Sequence, residues 1–192
     1  FTDLGQTWSK PVLGQVKFKG VEKKVLFFGG GYDEDQDAAT APQVDDVGRS
    51  LFMVDATTGA LLWSAGPDSS QNNLFLSDMN YSIPSNVTVG DLTNDGFTDI
   101  VFVSTIGGEV WRFDFDNDTN TSANDFATGG KVLDVNGTTQ EDNRKFFGHP
   151  DVSSFAPRGK EPYFLIAIGS GTRDAPLDEV TENSFFVKKE YS

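Results

Sequence analysis

The segment Asp91-Leu92-Thr93-Asn94-Asp95-Gly96-Phe97-Thr98-Asp99 has the residue types and spacing that point most directly to chemistry. Oxygen donors stand at its first, third, fifth and ninth positions, and glycine stands at the sixth. A hard cation such as Ca2+ takes six to eight oxygens at about 2.3–2.6 Å. A loop that alternates inward donors and then turns sharply at a glycine supplies them from one short stretch of backbone. Asp91, Thr93, Asp95 and Asp99 are the side-chain donors expected on this spacing, and Phe97 would add its carbonyl oxygen. The twelfth position is Phe102, where a helical EF-hand carries a bidentate Glu. The residues after Asp99 read as a strand, so a strand-flanked calcium loop is expected.

The alternative for these residues is an Asx-rich turn without an ion, since Asp-Gly and Asn-Asp are ordinary turn formers. Three carboxylates about 5 Å apart would repel by roughly 3 kcal/mol per pair at an effective dielectric near 20. A turn alone has no reason to concentrate that cost, which favours the ion. Thr93 is a weaker donor than Asp or Asn. With three formal charges the expected affinity is about 10⁻⁶–10⁻⁴ M.

Other groups carry less. The run Asp33, Glu34, Asp35, Asp37 with Asp45 and Asp46 is acidic enough for a second cation, but such runs are more often solvated loops. Asp114, Asp116 and Asp118 alternate without a following glycine. Gly169-Ser170-Gly171-Thr172-Arg173 lacks the Lys-Ser/Thr ending of a phosphate loop and reads as a turn. Asp55-Ala56-Thr57-Thr58-Gly59-Ala60-Leu61-Leu62-Trp63 reads as strand, tight turn and returning strand, similar to the repeat of quinoprotein dehydrogenase propellers. A packing role for Trp63 is expected there rather than a quinone site. With His149 as the one histidine and no cysteine, no nucleophile–base–orienter set assembles unless Lys or Asp serves, so no enzyme activity is expected.

The elements that must position the loop are short strands. Three segments share one grammar: a Pro-led strand (11–16, 84–89, 150–153), a β-branched and aromatic run (25–30, 100–103, 163–169), then a third strand (51–55, 109–113, 184–187). Each middle run is apolar on both faces, as in a strand buried between neighbouring sheets. Repetition of small antiparallel sheets is the signature of a β-propeller. The intervals between Pro11, Pro84 and Pro150 exceed the ~40–50 residues of compact blades. The excess falls in polar insertions at 33–48, 67–82 and 116–143, the last read as a flexible loop. The expected organisation is therefore all-β, with 1–192 forming part of one propeller domain and blade-like repeats at about 7–66, 82–116 and 147–189. About three to four blades of a larger propeller, for which seven blades is one closure, are represented.

Composition agrees. In 192 residues, 20 Gly and 17 Phe accompany a hydrophobic share of 37% and a net charge of −14. That mix suits strands, turns and aromatic packing. The acidic balance argues against a non-specific grip on nucleic acid or anionic lipid. No apolar run approaches the ~18 residues of a membrane span. The Phe1-Thr2-Asp3-Leu4 start suggests a part of a longer chain, with any export signal peptide lying outside it.

Several strings together resemble one family. They are Thr7 to Pro11, Gly29 to Asp33, Val54 to Trp63, Gly90 to Asp99, Gly107-Gly108-Glu109-Val110-Trp111-Arg112-Phe113-Asp114, and Gly169 to Arg173 with Pro176-Leu177. In order and over nearly the whole chain they resemble the C-terminal propeller of the PilY/PilC family of type IV pilus biogenesis and tip adhesin proteins. The resemblance implies a non-catalytic module in which Ca2+ governs pilus extension against retraction, twitching motility and surface attachment. It implies Asp91, Thr93, Asp95, Phe97 and Asp99 as metal ligands, and minor pilins and the assembly machinery as partners. Host-surface ligands would be met through regions outside this chain, at a pilus-tip or outer-membrane location on the bacterial surface. No Arg-Gly-Asp string occurs, so integrin binding is not implied. The other readings are a quinoprotein-like propeller enzyme and a periplasmic propeller scaffold with a structural calcium.

Overall fold

The run Ile100-Val101-Phe102-Val103 decides the architecture, because every one of its side chains is buried. A strand alternates its side chains between two faces, so this run must be covered twice. The computed structural model, which describes residues 1–191, shows how. It is all-β apart from a short 3-10 turn at Glu34–Ala38, and it forms three open sheets.

The first sheet runs β1 (Val12–Phe18), β2 (Val21–Gly29), β3 (Leu51–Asp55) and β4 (Leu61–Gly66) as an antiparallel meander, with β5 (Leu74–Phe75) parallel to β4 at its edge. The second is β6 (Thr88–Gly90), β7 (Ile100–Ser104), β8 (Glu109–Phe115) and β9 (Ala127–Asp134). The third is β10 (Asp151–Phe155), β11 (Tyr163–Gly169) and β12 (Phe185–Tyr191). From β7, Val101 and Val103 join Val16, Phe27, Met53 and Trp63 of the first sheet in one core, together with Trp111 and Phe113 of β8. Ile100 and Phe102 face the other way and join Phe164, Ile166 and Ile168 of β11 in a second core. Each of the three middle runs is a strand, and the all-β expectation is borne out. No sheet closes on itself among the described residues.

Two expectations are corrected. The polar stretch 116–143 is not loop throughout, because Ala127–Asp134 pairs along the whole of β8 as the fourth strand of the second sheet. Its Gly129 and Gly130 and its half-exposed edge position leave little apolar signal, and a register shift at Val110/Trp111 breaks the alternation further. The acidic run at 33–46 is solvated only in part, with Glu34, Asp35, Asp37 and Asp46 exposed. Asp33, Gln36 and Asp45 are buried. The Asp33 carboxylate accepts the Asp35, Asp46 and Val47 N–H groups, and Asp45 accepts Gln36 Nε2 and Ser82 N–H, each at 2.6 Å. Burying a carboxylate is tolerable only when donors surround it, and here folding supplies them from segments distant in sequence.

The Asp55–Trp63 hairpin is built as read. Gly59 N–H returns to Asp55 O at 2.8 Å, and Asp55 Oδ1 accepts Thr57 and Thr58 N–H. Trp63 is fully buried and packs edge-on against Phe113, Phe115 and Phe126 across the sheet interface. Among the described residues no helix is long and apolar enough to cross a membrane.

Trp63→Ala is expected to lower the unfolding free energy by about 3–5 kcal/mol, as for other large-to-small aromatic changes in cores. Leu177→Ala, at a 93% exposed side chain, should change it by less than about 0.5 kcal/mol; urea melts of both variants check the contrast. The Lys23 ammonium, 3.1 Å from Asp55, together with the Thr57 and Thr58 N–H groups, holds the Asp55 carboxyl down at about 2. A depressed carboxyl adds stability above its unfolded value near 3.8 and loses it as pH falls towards 2. The stability advantage of the parent over Asp55→Asn should therefore shrink between pH 4 and pH 2 in thermal melts.

Candidate functional site

Gly90 and Ile100 are paired across β6 and β7, and Asp99 N–H donates to Gly90 O at 2.9 Å, which closes the base of the Asp91–Asp99 loop. The loop can turn within this span because Asn94 and Gly96 adopt left-handed conformations, at φ 59° and 92°. Asn tolerates such angles and Gly reaches them without a Cβ clash.

Inside the loop each aspartate collects backbone donors. Asp91 Oδ1 accepts Asn94 N–H at 2.7 Å and Asp95 N–H at 3.3 Å, while Oδ2 accepts Gly96 N–H at 2.8 Å. Asp95 Oδ1 accepts Phe97 N–H at 2.9 Å. Asp99 Oδ2 accepts Leu92 N–H at 2.7 Å, Thr93 N–H at 3.0 Å and the Thr93 hydroxyl at 3.3 Å. The loop is thus gathered around Asp91 and Asp99, and N–H dipoles offset much of the carboxylate repulsion. Residues Asp91 to Gly96 are exposed, whereas Phe97 and Thr98 are buried.

The burial of Phe97 anchors the loop on the first sheet. Lys17 Nζ lies 4.6 Å from its ring centroid, a cation–π distance. Thr98 N–H donates to Gln15 O at 2.7 Å. Gly14 leaves room for this approach, since a Cβ there would lie 2.7 Å from Thr98 Oγ1 and 2.8 Å from the Phe27 ring. The loop also stands beside an open crevice of about 190 Å³ between the second and third sheets, walled by Ile100, Phe102, Val152 and Phe164, with Asp91 and Leu92 at its edge.

As donor chemistry the set fits a hard cation: three carboxylates, a hydroxyl and the Phe97 carbonyl, all oxygen. Among the described residues, however, no three His, Asp or Glu side chains converge as an ion cage. Asp91, Thr93, Asp95 and Asp99 share one loop, but their carboxylates engage its amides rather than a common centre.

The remaining candidates are structural. Asp114 pairs with Arg112 at 2.7 Å. Asp116 accepts the Thr119 hydroxyl and the Thr119 and Asp118 N–H groups, which hold its carboxyl below the ordinary range. His149 is exposed just before β10. Two polar centres escaped the sequence reading. Glu109 is buried, accepts Trp111 Nε1 at 2.8 Å and Lys131 Nζ at 2.7 Å, and has its carboxyl pushed up by burial. Lys145 is buried against Asp174, with Gln36 O at 3.0 Å, and so joins the 3-10 turn to the segment that follows β11. Neither shows a local pattern, because the partners meet only through the fold.

Gly96→Ala should cost about 1–2 kcal/mol, the penalty of a left-handed residue with a Cβ. The added methyl meets nothing within 4 Å, so a loss well above that range in urea melts would mean that the loop is held by more than its backbone geometry.

No family model matches the chain. Among curated proteins, the type IV pilus biogenesis factor PilY1 of Pseudomonas aeruginosa (strain UCBPP-PA14) is 28% identical over 138 residues, covering 67% of this chain and 10% of that protein. The chain therefore spans about a tenth of the length of the curated relative it matches. Among solved structures, the crystal structure of the Pseudomonas aeruginosa PilY1 C-terminal domain matches with a TM-score of 0.63 at 17% identity, over 99% of this chain and 38% of that one. The fold is shared over 99% of this chain, and the family resemblance carried by the sequence strings is borne out.

Proposed function

We propose that this chain, a relative of the PilY1 C-terminal domain, is a non-catalytic calcium-binding part of a type IV pilus biogenesis protein at the bacterial surface. The relationship to a named pilus biogenesis factor carries this reading. By it, the chain works with minor pilins and the assembly machinery, at the pilus tip or the outer membrane. Its ion occupancy biases pilus extension against retraction, and with it twitching motility, adhesion and surface attachment. The architecture proposed is an arc of a β-propeller. Support comes from the way consecutive sheets stack face to face through two cores.

Calcium is proposed at Asp91, Thr93, Asp95, Phe97 and Asp99. The all-oxygen donor set, the glycine turn and the exposure of Asp91 to Gly96 support it. Binding would draw these oxygens from the loop's amides onto a shared ion, and the charge of Ca2+ would offset the repulsion between three carboxylates.

Calorimetric titration with Ca2+ is expected to give a dissociation constant of about 10⁻⁶–10⁻⁴ M. Calcium at 100 times that constant should stabilise the fold by about 2.7 kcal/mol, a gain that a chelator removes. Asp95→Ala should lose both the heat and the shift in melting temperature; an Asp95→Ala protein that binds as well as the parent overturns the site. In the bacterium, deleting the gene segment for this region should abolish twitching, and unchanged twitching would count against the pilus assignment.

A further inference from the structure

Asn117 belongs to none of the motifs that mark the loop, yet its side chain joins three parts of the molecule. It follows β8, is 9% exposed, and uses both ends of its amide. Oδ1 accepts Lys17 N–H of β1 at 2.9 Å. Nδ2 donates to Thr98 O at 3.0 Å and to Asp99 Oδ1 at 3.3 Å. Asp99 is thereby fixed from two sides, with Oδ2 held by the Leu92 and Thr93 amides and Oδ1 held by Asn117. Three residues later Asn120 bridges to β1 in the same way, taking Lys19 N–H at 2.5 Å and giving to Lys17 O at 2.8 Å.

We infer that Asn117 is the positioning residue of the Asp91–Asp99 loop: it orients Asp99 from outside and couples the order of the loop to β1 of the first sheet. As a statement about cation affinity this rests on the calcium reading above; as a statement about Asp99 it does not. The chemistry of the side chain explains the choice. A planar amide offers an acceptor to Lys17 N–H and two donors to oxygens at once. Alanine offers neither. Aspartate would keep the acceptor for Lys17 but set a carboxylate against Thr98 O and Asp99, where two acceptors repel. Outer groups that orient a metal ligand typically account for 10–100-fold in affinity.

The test uses the parent, Asn117→Ala, Asn117→Asp and Ile166→Val, the last a mild core change on β11 of the third sheet that touches none of the loop's hydrogen bonds. In calcium-free buffer, amide hydrogen exchange at Leu92 and Thr93 should quicken in both Asn117 variants and that at Lys17 in Asn117→Ala, while all three stay at the parent's rate in Ile166→Val. In calorimetric titration with Ca2+, Asn117→Ala should bind about 10–100-fold more weakly than the parent, Asn117→Asp at least as weakly, and Ile166→Val like the parent. Unchanged exchange at Leu92 and Thr93 in Asn117→Ala overturns the positioning of Asp99. Parental affinity in Asn117→Ala overturns the coupling to the ion. A parent that binds no calcium, with exchange at Leu92 and Thr93 still quickened in Asn117→Ala, removes the calcium reading and supports the positioning of Asp99.

Discussion

The structure depends on a strand that has no solvent side. All five residues of β7 are buried, and a fully buried strand holds only if sheets cover both of its faces. The first sheet covers Val101 and Val103, and the third covers Ile100 and Phe102. Large aromatic side chains fill the first of these interfaces, where Trp63, Phe113, Phe115 and Phe126 meet edge-on or tilted. Such rings bring large buried areas and directional contacts together. Because β7 cannot slip by one residue without exchanging its two faces, the residues immediately before it are also fixed in place. The acidic loop is held by that register.

Between the sheets, polar contacts complete what the apolar cores begin. Thr88 Oγ1 donates to Pro150 O at 2.6 Å and Ser104 Oγ to Gly148 O at 2.7 Å, tying the second sheet to the entry of the third. Asp45 takes Ser82 N–H and binds the insertion of the first sheet to the approach to β6. Lys145 and Asp174, both sealed from solvent, join that same insertion to the far end of the chain. Ionic groups in such places contribute little net stability but strongly disfavour arrangements that leave one partner unpaired. They select one relative placement of the sheets.

The aspartates of the loop obey a related logic at the surface. Carboxylates at the first, fifth and ninth positions would repel if left bare, and the loop wraps its own amides around them. The wrapping explains why a loop with little apolar burial of its own has a defined course. Under the proposed function the same atoms would serve two uses, as hydrogen-bond acceptors for the chain and as oxygen ligands for a cation. Phe97 and Thr98, seated on β1, connect either use to the first sheet.

The sequence by itself determined what is local. Strand runs with β-branched and aromatic residues, the Asp55–Trp63 hairpin with its packing tryptophan, and the glycine-turned acidic loop all arise from alternation, turn propensity and donor spacing within a few residues. The family strings were legible for the same reason. Tertiary structure decided the rest. Ala127–Asp134 is a strand because β8 offers it a ladder, and its own composition barely signals one. Asp33 and Asp45 are interior residues because donors from 46, 47 and 82 come to meet them. Asn117 reaches the loop only because β1, β6 and β8 converge there. Periodicity reports which face of an element is apolar; which polar groups will find partners depends on contacts between segments far apart in the chain, and no local pattern records those.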